Sequence, residues 1–75
     1  MSEFGEKLIN LRTERGLSTK DACQKAGIPQ SRLSELERGV RIPTPGQITR
    51  LENFYETGPD ELADLAKLFE ENLDS

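Results

Sequence analysis

Five polar side chains stand close together at Gln30, Ser31, Arg32, Ser34 and Glu35. Their groups donate and accept hydrogen bonds but are poor reagents at neutral pH. An amide pairs two-fold with adenine N6/N7, and a guanidinium does the same with guanine O6/N7. Hydroxyls donate or accept, and a carboxylate accepts from cytosine N4. On the outward face of one helix, this set performs recognition rather than bond breaking. A second set flanks it: Thr19, Lys20, Arg38, Arg41 and Thr44. Hydroxyls and cations of this kind hold phosphates and fix register without reading sequence. Thr19 and Lys20 fall at the start of a predicted helix, where free N–H groups and the dipole favour an anion.

The chain offers little for catalysis. Histidine is absent and Cys23 is the one cysteine. No nucleophile–base pair, metal-ligand cluster or phosphate-binding glycine loop is legible. The expectation is a non-enzyme without cofactor or metal. A lone cysteine forms no intramolecular disulfide, which suits a reducing cytoplasm. Cys23 reads as a small core residue at a tight helix crossing rather than as a redox or metal sensor. No apolar run is long enough to span a membrane, and no signal-peptide pattern opens the chain.

The elements that would position these residues are helices. The segment Thr19–Arg38 reads as two short helices joined by a turn at Gly27. It has small residues at Ala22, Cys23 and Ala26, with Ile28, Leu33 and Leu36 after the turn. This is the pattern of a helix-turn-helix, whose second helix can enter a DNA major groove. A first helix is expected from about Ser2 to Arg15, with Phe4, Leu8 and Leu11 as its apolar stripe and Gly16 as its stop. Ser18 caps the second helix in a variant capping box with Asp21. The third begins at Pro29 or Gln30 and ends at Gly39. Residues 40–43 form a loop. Thr44-Pro45-Gly46-Gln47 opens a fourth helix, with Ile48, Leu51, Phe54 and Tyr55 as its stripe. Gly58-Pro59 starts a fifth, where Asp60 and Glu61 suit the positive end of the dipole. Its apolar face is Leu62, Leu65, Ala66, Phe69 and Leu73.

Seventy-five residues make one domain, 1–75, with a modest core. Aromatics are few, so that core is expected to be aliphatic. The net charge of -4 is unevenly spread. Residues 1–50 carry nine Lys/Arg against six Asp/Glu, a balance of +3, whereas residues 51–75 carry one against eight, a balance of -7. The basic part contains the helix-turn-helix, and a local field steers a polyanion better than a total charge does.

From about Phe4 to Leu68 the chain resembles the lambda-repressor-like helix-turn-helix family, which includes phage Cro and CI repressors and xenobiotic-response-element type regulators. The matching pieces are FGEKLINLRTERGLS, CQKAGI, LSELERG, PTPGQITRLENFY and PDEL, in that order. The resemblance implies a compact all-α, five-helix domain. It also implies a sequence-specific transcriptional regulator, most often a repressor, whose third helix reads double-stranded DNA. In that family an arginine of the first helix often meets the glutamate ending the third, and Arg12 and Glu37 stand at those positions. The chain departs from the pattern at four places. Cys23 replaces alanine, Ala22 replaces leucine, Pro29 replaces a polar residue that often touches a base, and Glu56 replaces a helix-ending glycine. Phe69 and Leu73 are candidates for a two-fold contact in a homodimer on a pseudo-palindromic operator. The rival reading is a protein-interaction module, an antitoxin or adaptor, that uses the same fold and an acidic C-terminal surface.

Overall fold

The structure, a computed structural model, describes residues 2–58 and 60–73, with side chains as far as Glu71. It is an all-α fold of five helices: α1 Glu3–Glu14, α2 Thr19–Ala26, α3 Gln30–Arg38, α4 Pro45–Tyr55 and α5 Glu61–Leu73.

Local chemistry sets most of the boundaries. Ser2 Oγ accepts from the Gly5 N–H at 2.9 Å and starts α1. Ser18 Oγ accepts from the Asp21 N–H at 3.1 Å and starts α2. At α4 the capping box is complete. Thr44 Oγ1 accepts from the Gln47 N–H, and Gln47 Oε1 accepts from the Thr44 N–H. Each such bond satisfies an N–H that the helix itself leaves unpaired. Pro29 precedes α3 and supplies no side-chain cap. Asp60 lies just ahead of α5 rather than in its first turn. Its φ is +67, and its carbonyl accepts from the Asp64 N–H at 2.8 Å.

α1 lies against α3 and α5, α2 against α3 and α4, and α4 against α5. Their shared core holds Phe4, Leu8, Leu11, Ala22, Cys23, Ala26, Ile28, Leu33, Leu36, Leu51, Tyr55, Leu62 and Ala66. The expectation of an aliphatic core needs correction. Phe4 and Tyr55 are its largest fully buried side chains, so two of the four aromatics stand at the centre. One ring fills the volume of several methyl groups, which lets a short chain close a core with few residues. Cys23 is buried beside Ala22 and Ala26, where helices pass closely.

Two interactions tie the ends together. Arg15 Nη2 donates to the Tyr55 carbonyl at 2.6 Å, and its guanidinium sits 5.2 Å from the Tyr55 ring centre. This joins the end of α1 to the end of α4. Lys7 Nζ meets Glu61 Oε1 at 2.8 Å and joins α1 to α5. The hydrogen bond from Lys7 holds the Glu61 carboxyl below its ordinary range. Whatever the bridge contributes is therefore present above that range and lost as pH falls through the depressed value. Burial pushes the Tyr55 hydroxyl above its usual value, and the nearby Glu37 charge adds to this. Among the described residues that hydroxyl has no hydrogen-bond partner.

Gly5 is a packing residue. A Cβ at this position would overlap the backbone carbonyl oxygens of Glu37 and Leu36 at the end of α3. Glu56 does the opposite job badly. It ends α4 at φ 55, in the left-handed region where a side chain crowds its own carbonyl. Gly5→Ala should therefore lower stability by about 2 kcal/mol despite the better helix propensity of alanine. Glu56→Gly should raise it by about 1 kcal/mol. Thermal melts check both, since about 1 kcal/mol moves the midpoint of a domain this size by roughly 4–8 °C.

Candidate nucleic-acid interface

α3 is held from its fourth residue onward. Leu33 and Leu36 are fully buried, and Glu37 is 4% exposed. A buried carboxylate needs a partner, and Arg12 of α1 supplies it. Arg12 Nε donates to Glu37 Oε2 at 2.9 Å, and Nη2 donates to Oε1 at 3.2 Å. The remaining Nη1 donates to the Leu17 carbonyl at 3.0 Å, in the link between α1 and α2. One guanidinium thus fastens α1, the connection to α2 and the last turn of α3. The bidentate geometry fixes orientation as well as distance.

The other end of α3 faces outward. Gln30 and Ser31 are exposed, and Arg32, Ser34 and Glu35 are half-buried. Gln30 Nε2 donates to Thr19 Oγ1 at 3.3 Å, which brings the first residue of α3 against the first residue of α2. The foremost base-reading candidate and a phosphate candidate therefore share one edge of the molecule. Lys20 follows Thr19 there and is exposed. The turn between the two helices is closed by Gly27, in the left-handed region at φ 75, where its N–H donates to the Cys23 carbonyl. Arg50 of α4 covers this turn. A Cβ on Gly27 would come within 2.9 Å of its Nη1.

Gly39, also at φ 75, ends α3 and turns the chain back. The Val40 N–H donates to the Glu35 carbonyl at 3.1 Å. This brings Arg41 to Glu35, whose Oε2 lies 3.1 Å from Arg41 Nε. Arg32 Nη1 lies 3.5 Å from Glu35 Oε1. Arg38 is exposed at the end of α3, and Thr44 is engaged in the cap of α4. Among the described residues, Arg15, Lys20, Lys25, Arg38, Arg50 and Lys67 meet no carboxylate, whereas Lys7, Arg12, Arg32 and Arg41 do.

Residues 3–65 match the model of a helix-turn-helix domain. The chain belongs to the lambda-repressor-like helix-turn-helix family. The HTH-type transcriptional regulator ImmR of Bacillus subtilis (strain 168) is 32% identical over 59 residues, which cover 79% of this chain and 46% of that protein. The chain spans about half the length of this curated relative. No solved structure matches it.

Several residues that shape this family's frame here carry no obvious signal in the sequence. Gly5 sits inside a helical stripe, and only the α3 carbonyls opposite it give it meaning. Arg15 and Arg50 count as ordinary basic residues until the ends of α4 and α2 are placed beside them. Phe69 is half-buried and borders a shallow groove with Gly39, Val40, Arg41 and Ile42. Leu73 closes α5, and its side chain lies outside the described residues. Among the described residues, no group of His, Cys, Asp and Glu is placed to hold a metal, and no helix is long and apolar enough to cross a membrane.

The two glutamates of α3 should separate cleanly. Removing Glu37 strands a guanidinium that is only 18% exposed, a loss of about 3 kcal/mol. Removing Glu35 breaks surface pairs worth about 1 kcal/mol or less. Glu37→Ala should therefore melt well below Glu35→Ala, and equal midpoints by circular dichroism would rule out the clamp role of Glu37.

Proposed function

We propose that this protein is a sequence-specific DNA-binding transcriptional regulator, acting as a repressor, with α3 entering the major groove. The observation that carries this reading is the shared edge of α2 and α3. Gln30 and Thr19 are joined there, with Ser31 and Lys20 exposed beside them. Gln30, Ser31, Arg32, Ser34 and Glu35 are the base-reading set. Thr19, Lys20, Arg38, Arg41 and Thr44 are the phosphate set. The relative's printed description as a transcriptional regulator supports the same assignment.

Mechanically, the division of α3 suits the task. Its rear half is locked to α1, so its front half is presented as a rigid body and pays little ordering entropy on binding. The first turn has no side-chain cap, which leaves its N–H groups available to a phosphate or a base edge. Occupancy of a promoter by the domain excludes polymerase. One domain reads only a short half-site, and a homodimer reads two, about one helical turn apart. Phe69 and Leu73 of α5 are the proposed two-fold contact. Val40 at 63% and Ile42 at 42% exposure extend the apolar surface around Phe69. No catalytic step is assigned, and the domain is proposed to work in the cytoplasm.

A salt series on mixed-sequence duplex DNA tests the central claim. Log affinity should fall linearly with log salt, with a slope of about -0.9 for each phosphate neutralised. Lys20 and Arg38, which meet no carboxylate among the described residues, alone give roughly -2 per protomer. No binding at low salt would defeat the reading and favour a protein-interaction role for the acidic end. Sites selected from a random duplex library should occur as inverted pairs. On such a site, Gln30→Ala should cost about 1–3 kcal/mol with no change in melting temperature.

A further inference from the structure

Glu35 is a carboxylate on the face proposed to meet a polyanion. It lies between two cations of the same surface, Arg32 on its own helix and Arg41 in the loop beyond. The arrangement is built by the backbone. Gly39 reverses the chain, and the Val40 N–H closes onto the Glu35 carbonyl, which delivers Arg41 to the side chain. All three side chains remain accessible, at 41% for Arg32, 43% for Arg41 and 25% for Glu35. They are thus open to exchange partners with an incoming anion.

We propose that Glu35 is a specificity-determining residue: an internal stand-in for phosphate that holds Arg32 and Arg41 until a cognate site replaces it. This inference rests on the DNA-binding reading above. In the free protein the three groups carry a net charge of +1 instead of the +2 of the arginines alone. A duplex that captures the arginines must release them from Glu35 and bring that carboxylate near its own phosphates. The penalty is the same on every sequence. It is offset only where Glu35 gains a donor, such as the N4 amine of a cytosine in the major groove. Random DNA is therefore held less tightly than the basic surface would otherwise allow, and discrimination improves by weakening the wrong complexes.

Glu35→Gln keeps the shape and removes the charge, and Glu35→Ser is a second uncharged variant. Glu71→Gln, on an exposed residue of α5, makes the same change in total charge away from this face. Affinity for a mixed-sequence duplex is measured for all four proteins across a salt series. Both Glu35 variants should bind roughly tenfold tighter than the parent at low salt, with a slope steeper by about 1–2, as one or two arginines are freed for phosphates. Glu71→Gln should match the parent. On a library-selected site the Glu35 variants should gain less or lose affinity, so the preference for that site narrows. If the parent binds duplex but neither Glu35 variant gains, or Glu71→Gln gains equally, the stand-in role is wrong and DNA binding stands. If no variant and no parent protein binds at low salt, DNA binding itself fails and takes the stand-in role with it.

Discussion

The Arg12–Glu37 pair is the joint on which the presentation of α3 depends. Glu37 is almost wholly buried, so the cost of desolvating its charge is recovered only if a cation meets it squarely. Arg12 does so with two parallel hydrogen bonds and spends a third on Leu17. A lysine offers a single point of charge and no planar fork, so it would fix neither the tilt of α3 nor the path into α2. Gly5 completes the joint from the same face of α1. Its missing side chain lets the α1 backbone reach the carbonyls that end α3.

Anchoring one end of a short helix frees the other for recognition. α3 has only nine residues, and its buried positions lie at Leu33, Leu36 and Glu37. The first turn is thereby left outside the core, beside the first turn of α2. The two N-termini are coupled by a light contact, Gln30 to Thr19, rather than by packing. Such a contact orients an amide in the free protein and can be exchanged for a base edge at small cost.

The charge distribution looks different once folded. Of the basic excess of residues 1–50, one charge is met by an acid from beyond that segment, Lys7 by Glu61, while Glu37 and Glu35, already within the balance, decide which cations are occupied: Arg12, and Arg32 with Arg41. A charge count along the chain cannot register this, because the partners lie up to 54 positions apart, as Lys7 and Glu61 do. What counts near a polyanion is the exposed remainder on the face of the helix-turn-helix, and Lys20, Lys25, Arg38 and Arg50 contribute to it on α2, α3 and α4.

The helices and their caps were determined by the sequence itself. Ser2, Ser18 and Thr44 each bond an N–H three residues on, and apolar stripes recur with the period of a helix turn. These are local effects, carried by neighbours a few residues apart, so a linear reading contains them. The Arg12–Glu37 pair became legible only through family resemblance, since nothing within 24 intervening residues announces it. Tertiary structure alone decided the rest. It made Gly5 a contact surface, chose Tyr55 and Phe4 over the other apolar stripe residues as the largest side chains at the centre of the core, and set Arg15 on the end of α4. It also set Glu35, read along the chain as an acceptor for a base, between two arginines. Each of these depends on what stands opposite a residue in space, and that is settled only when the helices pack.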